Sequence, residues 1–255
     1  MKYYLYINCV EKMLSKLLFF IERASAYLLG KGGGGRTVAK EFSSTVKLLQ
    51  NKKPLLCIDI GGNQGVYTQE IVKQFPDCKV VVFEPSESNI EVLNNKFLDN
   101  QNIIIEQAAI SNITGDATLY SNEDGSPLAS LTKRRLDHFG IDFEKTENIT
   151  TIRFEDYWKS NLGSKKIDFC KIDIEGHELD ALVGFGNAID NISVIQFEFG
   201  GCNIDTKTYF QDFWYFFHRH DFKIYRISPI GLIHIERYQE LDEVFITTNY
   251  LAKRN

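Results

Sequence analysis

Residues 168–178 read Asp168-Phe169-Cys170-Lys171-Ile172-Asp173-Ile174-Glu175-Gly176-His177-Glu178, an apolar run with ionisable side chains at alternate positions. Strand alternation would put Lys171, Asp173 and Glu175 on one side. A central parallel strand is ordinarily apolar on both faces, so three charges there carry a desolvation cost that chemistry explains better than folding does. His177 follows at once, and histidine is the side chain best matched to accepting a proton near neutral pH. His177 is therefore the first candidate base, with Asp173 to orient it or the group it deprotonates and Glu175 beside them. The bland alternative is a histidine that packs or caps the first turn of a following helix. A divalent cation on Asp173, Glu175, His177 and Glu198 is the less favoured reading, since nothing in the sequence brings those four together, and no metal ligand is assigned. Glu178 is expected to be solvated.

A second constellation precedes it. Leu55 to Ile60 is a buried strand by composition, and Gly61-Gly62-Asn63-Gln64-Gly65 delivers the chain to a helix beginning near Val66. Gly61, Gly62 and Gly65 permit a sharp turn and a close approach to a ligand, and Asn63 is among the few residues that tolerate left-handed backbone. In open α/β sheets this is where ligands bind, beside the free N–H groups of a helix start. Asp59, ending the strand, could accept a hydrogen bond from the ligand or tie down the turn. Glu84 ends the next strand nineteen residues after Gly65, the position from which an acid accepts ribose hydroxyls. Gln107 and Ala109, at the end of the third strand, are the expected neighbours of a nucleobase. Asp59, Gly61, Gly62, Asn63, Gly65, Glu84, Gln107 and Ala109 form the expected cofactor-binding set.

The elements that must position these groups alternate. Apolar runs at 55–60, 79–83, 103–109, 167–174, 193–199, 223–227 and 243–248 predict seven strands, with helices near 66–74, 86–98, 154–161 and 178–183. That alternation makes a doubly wound, mostly parallel sheet covered on both faces. Residues 223–227, 231–236 and 243–248 leave no room for crossover helices and must pair antiparallel. Residues 112–152 break the rhythm with a strand-like 116–120 and the turn pair Asp124-Gly125, and are expected to be a substrate-specificity insertion. The aromatic residues Phe210, Phe213, Trp214, Phe216 and Phe217 have helical spacing and read as core.

Residues 1–50 are expected to be a helical extension with a glycine-rich linker, and 51–255 the main domain. Ile7, Val10, Leu14, Leu17, Ile21, Ala24 and Leu28 make one apolar stripe that ends at Gly30. Such a stripe suits the domain's own sheet or a second subunit, with peripheral membrane contact as the lesser alternative. Charges interrupt it, so it is expected neither to span a bilayer nor to be a secretory signal. Lys31 to Arg36 includes four consecutive glycines with no strand before them, and reads as a linker.

With 29 basic and 34 acidic residues, a net of -5, the chain has no global field for nucleic acid. Five dispersed cysteines without a CxxC pair argue against disulfides and structural zinc and suit a reducing cytoplasm.

The ordered motifs DIGGNQG, FEP, AAIS, KIDIEGHE and IQFEFG resemble the FkbM-type methyltransferases over residues 52–248. The resemblance implies a class I, Rossmann-like sheet of seven strands finished by an antiparallel hairpin, and S-adenosylmethionine as the methyl donor. It also implies a hydroxyl acceptor on a saccharide, a lipid-linked glycan or a secondary metabolite. The competing readings are a nicotinamide-dependent oxidoreductase, against which the absence of GxGxxG from this loop counts, and a catalytically idle nucleoside-binding domain.

Overall fold

The computed structural model describes residues 2–32, 38–50 and 53–255, so most of the glycine run read as a linker lies outside the described residues. Two helices come first, α1 (Lys2–Leu28) and α2 (Val38–Leu48). The alternating region follows as β1 (Leu56–Ile60), α3 (Val66–Gln74), β2 (Lys79–Phe83), α4 (Glu87–Lys96) and β3 (Ile103–Glu106). The chain then forms β4 (Ala109–Ser111), β5 (Gly115–Ser121) and β6 (Lys145–Arg153) before returning through α5 (Phe154–Ser160) to β7 (Ile167–Ile172). After α6 (Glu178–Gly184) come β8 (Ile192–Phe199), α7 (Cys202–Thr206), α8 (Phe210–Arg219), β9 (Phe222–Ser228), β10 (Gly231–Ile235) and β11 (Thr248–Arg254).

The main sheet has the order β10-β9-β11-β8-β7-β1-β2-β3. The strands from β3 across to β8 are parallel, and β11 lies antiparallel between β8 and β9. The order reverses between β1 and β7, which opens a crevice beyond their carboxyl ends. The sheet is thus the expected doubly wound one with its antiparallel finish, and it has eight strands rather than seven because β10 joins it.

The predicted strand at 243–248 is displaced. Its apolar pattern suggested a ladder, but the carboxylate of Glu243 accepts the N–H groups of Phe210 and Gln211 at the start of α8, and pairing begins only at Thr248. The predicted strand at 103–109 also divides, its last residue, Ala109, opening β4, which pairs with β6 in a separate three-stranded sheet, β4-β6-β5. The insertion therefore folds on a small platform of its own, packed around Ala109, Leu119 and Ile149.

Alternation along β1 assigns the two faces of the sheet. Leu56, Ile58 and Ile60 pack with Phe154, Phe185 and Phe197, whereas Cys57 packs with Tyr67, Val80 and Phe169 on the other side. Phe210, Phe213 and Phe217 are fully buried, as their spacing suggested. Cys57, Cys78, Cys170 and Cys202 are free and buried.

The sequence reading set α2 in the extension, yet its Phe42 is buried edge-on to Tyr67 and Phe169 and belongs to the main core. In the stripe of α1, Leu14, Leu17, Ile21 and Leu28 are exposed. No helix among the described residues is long and apolar enough to cross a membrane.

Candidate active site

A cavity of about 460 Å³ opens at the carboxyl ends of β1, β2, β7 and β8, a volume typical of small-molecule sites. Gly61, Gly62, Asn63 and Gln64 form one wall, Glu84 and Pro85 a second, and Ala108 to Ile110 a third. Lys171, Asp173, Glu175, His177 and Glu198 converge on the same space. Val38 and Glu41 of α2, Ser126 to Leu131 of the insertion, and Thr247 and Asn249 complete it.

The glycine turn is fixed to the strand beside it. The N–H groups of Gly61 and Gly62 donate to the carbonyl of Phe83, and that of Asn63 donates to Glu84 Oε2 at 2.8 Å. Asn63 has φ 45°, the left-handed backbone its side chain was expected to tolerate. The glycines serve contacts within the protein as much as room for a ligand. A Cβ on Gly61 (φ 80°) would stand 1.9 Å from the carbonyl oxygen of Asp173, and one on Gly62 would stand 2.2 Å from Val82. Gly65 (φ 72°) does not line the cavity, and its missing Cβ admits Leu93 of α4 and Phe97 just after it instead.

Glu84 reaches the cavity wall as expected. Besides Asn63, its carboxylate accepts the Ser86 N–H and the Asn89 side-chain amide, and burial raises its pKa against those hydrogen bonds. Two further residues of the expected cofactor set do not line the cavity. Asp59 alternates with Cys57 onto the α3 side of the sheet, is fully buried, and accepts the Thr68 hydroxyl at 2.6 Å, so it ties α3 to β1 behind the cavity. Gln107 is exposed, because β3 ends at Glu106 and the chain turns before β4, leaving Ala108 and Ala109 as the wall.

The acidic constellation around β7 is organised by a lysine. The ammonium of Lys171 is buried 2.9 Å from Asp173 Oδ2 and 5.0 Å from the centre of the Tyr67 ring. Burial alone would lower its pKa, but Asp173 and Asp59 outweigh burial and keep the amine charged. β7 ends at Ile172, so Asp173 and Glu175 belong to the turn after it rather than to strand alternation. Glu175 has φ 53°, a conformation that costs a side chain roughly 1–2 kcal/mol.

The turn is braced on both sides. Glu178 accepts the N–H groups of Ile174 and Gly176, and is fully buried rather than solvated as the sequence suggested. The Ser130 hydroxyl donates to the carbonyl of Glu175, and Arg134 pairs with its carboxylate.

His177 stands at the start of α6, where its ring makes two polar contacts. Nδ1 is 2.8 Å from Asp180 Oδ2, and Nε2 is 3.0 Å from the hydroxyl of Thr132. The Asp180 side favours the neutral tautomer with its proton on Nδ1, which leaves the Nε2 lone pair for a hydroxyl. Carboxylate oxygens of Asp173, Glu175 and Glu198 lie within 4.8 Å of one another, and His177 is not among that group. The four-residue metal reading is therefore reduced to three carboxylates, one of them neutralised by Lys171.

Burial beside Asp173 pushes Glu175 up to about 8, against the pull of Arg134, and burial pushes Glu178 up to about 7. Both values lie above the ordinary 4.5, so the folded chain retains protons that the unfolded chain releases. The resulting stability is present below about pH 4.5 and is lost as pH rises through 7 and 8. The thermal midpoint without ligand is expected to fall from pH 5 to pH 8, and to fall less in Glu175→Gln. Parallel calorimetric profiles for the two proteins would remove Glu175 from that dependence.

Asp180 was legible in principle, three residues beyond His177 on a helix, where side chains meet. Thr132, Arg134 and the wall from Ser126 to Leu131 carry no local signal beyond membership of the insertion.

Comparison with known proteins supplies a second line. The methyltransferase FkbM domain matches residues 59–224. The chain is similar to the 2-O-methyltransferase NoeI of Sinorhizobium fredii, 25% identical over 57% of this chain and 63% of that protein. It is also similar to Methyltransferase 1 of Beauveria bassiana, 23% identical over 54% of this chain and 62% of that one. The matches thus span less than two thirds of these relatives. Among solved structures, the plantazolicin methyltransferase BpumL in complex with SAH is similar at TM-score 0.47 and 14% identity, covering 86% of this chain and 83% of that one. The precorrin-6y C5,15-methyltransferase of Geobacter metallireducens follows at TM-score 0.44 and 10% identity, covering 84% and 87%.

Proposed function

The chain belongs to the FkbM methyltransferase family, and from that premise we propose that it transfers the methyl group of S-adenosylmethionine to a hydroxyl of a saccharide, glycolipid or secondary metabolite. One observation carries the hydroxyl reading: a histidine at the cavity wall stands 2.8 Å from Asp180 through Nδ1 and 3.0 Å from the Thr132 hydroxyl through Nε2, the arrangement of an oriented base facing an alcohol. An acceptor hydroxyl that takes the place of Thr132 would meet the lone pair that removes its proton. The name of the rhizobial relative, a 2-O-methyltransferase, points to oxygen as well.

In this reading the donor's methionine end lies along Gly61 to Asn63, its ribose hydroxyls donate to Glu84, and its adenine lies against Ala108 and Ala109. A cationic donor beside Asp173, Glu175 and Glu198 favours their ionised forms, against the burial that raises Glu175 and Glu198 in the empty cavity. Methyl transfer is then a displacement in which the acceptor oxygen bonds to the methyl carbon as the carbon–sulfur bond breaks. The electron pair stays on sulfur, and the acceptor's proton goes to His177. Placement of the oxygen in line with sulfur supplies most of the rate.

The reaction as proposed runs without a metal, because the ammonium of Lys171 is already the fixed cation on Asp173. The experiment is transfer of labelled methyl from S-adenosylmethionine to small glycans, lipid-linked saccharides and metabolites, read by mass spectrometry, with and without EDTA. O-methylated products unaffected by EDTA are expected. Label on nitrogen or carbon alone would defeat the hydroxyl assignment, and loss on chelation restored by Mg²⁺ would transfer the base's work to a metal. Titration calorimetry that detects a nicotinamide dinucleotide but not S-adenosylmethionine would replace the donor.

A further inference from the structure

The insertion is fastened to the wall at alternate residues. The Ser130 hydroxyl donates to the carbonyl of Glu175 at 2.8 Å, Thr132 meets His177 at 3.0 Å, and Arg134 Nη1 donates to Glu175 Oε2 at 2.5 Å. Arg134 does not line the cavity, whereas Glu175 does. Its side chain is 9% exposed and is braced from behind by Asp205, whose Oδ2 is 3.6 Å from Nε. Asp205 in turn accepts the Arg135 N–H at 3.4 Å. A guanidinium that lies between a wall carboxylate and a second carboxylate behind it fixes the direction of the first, which a lysine ammonium does less well.

Glu175 needs such fixing. Its backbone is left-handed, the next residue is Gly176 at φ 104°, and its side chain faces like charge from Asp173 and Glu178. Without Arg134 nothing cationic would meet its carboxylate among the described contacts, since the ammonium of Lys171 is bonded to Asp173.

We infer that Arg134 is a positioning residue for the acceptor: it clamps the carboxylate of Glu175 at the cavity wall, where that carboxylate accepts a hydrogen bond from a hydroxyl neighbouring the one that reacts. The inference rests on the hydroxyl-transfer reading above and adds a preference for acceptors with adjacent hydroxyls, as in a pyranoside. Arg134 touches neither donor nor acceptor and acts through Glu175.

The test uses the full chain with S-adenosylmethionine and a panel of methyl pyranosides, alongside their deoxy analogues lacking one neighbouring hydroxyl. Arg134→Gln is expected to raise the acceptor KM about tenfold, as loss of one charge-assisted hydrogen bond does, with kcat and donor affinity nearly unchanged. Arg134→Lys should recover part of the loss. In a Glu175→Gln background the Arg134→Gln change should add little, and the deoxy acceptor should not distinguish Arg134→Gln from wild type. Additive effects in the double variant, or a fall in kcat at constant KM, would overturn the proposal.

Hydrogen exchange gives an arm that needs no acceptor. Arg134→Gln should speed exchange in residues 126–134 and 174–177 together, and unchanged exchange in both would also overturn the clamp. If wild-type transfer proves to go to nitrogen, the hydroxyl reading fails by itself, while the Arg134–Glu175 coupling is still read by exchange and by the double variant on that acceptor.

Discussion

Replacing His177 by alanine is expected to lower turnover by about 10²–10⁴-fold while leaving S-adenosylmethionine binding intact. The rate falls because a protonated alcohol is a poor nucleophile and Nε2 is the lone pair aimed at it. Binding survives because the side proposed for the donor is lined by Gly61, Gly62, Asn63 and Glu84, none of which contacts the ring through a hydrogen bond. Asp180→Asn should cost less, since it weakens the control of the ring's tautomer without removing the ring. Labelled-methyl turnover and titration calorimetry on the same preparations separate the two effects. Wild-type turnover in His177→Ala would end its assignment as base.

Gly61→Ala is expected to damage both fold and donor site. An added Cβ would lie 1.9 Å from the carbonyl oxygen of Asp173 and 2.9 Å from its carbonyl carbon, and the residue would have to hold φ 80°. The obstruction is backbone, so relief requires the ends of β1 and β7 to separate, and the cavity lies between those ends. Several kcal/mol of destabilisation follow from an overlap of this kind, roughly 10 °C in the thermal midpoint of a chain this size. Donor affinity should fall more than tenfold with it, because Asp173 and the glycine turn move apart. Gly115→Ala is the control: its Cβ meets nothing within 4 Å and its φ is not in the left-handed range. A Gly61→Ala protein with the midpoint and donor affinity of the control would show that the two strand ends are not coupled.

These two residues illustrate different kinds of legibility. Gly61 was marked by its place between a buried strand and a helix, because a parallel sheet that turns into a helix there needs a residue without a side chain. Its stated reason changed in part: it makes room for the chain across the crevice as well as for a ligand. His177 was marked by residue type and by its place just past an acidic strand, and the partners that orient it came from the structure.

The errors have a common physical origin. Asp59 and Gln107 were assigned to the ligand from proximity to strand ends, but a strand end fixes where a residue is, not which way it faces. One step of alternation turned Asp59 to Thr68, and one break in β3 turned Gln107 to solvent. Glu178 read as surface because a helix beginning ordinarily is, whereas the turn before it leaves N–H groups that only a buried carboxylate satisfies.

The sequence by itself determined the alternating strands and helices, the glycine turn, Glu84 and the acidic run through His177, since each of these depends on local pattern and on the chemistry of adjacent residues. Tertiary structure alone decided that Asp173, Glu175 and Glu198 would face one another with Lys171 on Asp173, that Thr132 and Arg134 would reach across some 40 residues to the turn at 175–177, and that Asp59 would be kept from the cavity. Those outcomes depend on the crossing of segments distant in the chain, and short-range periodicity contains no term for that crossing.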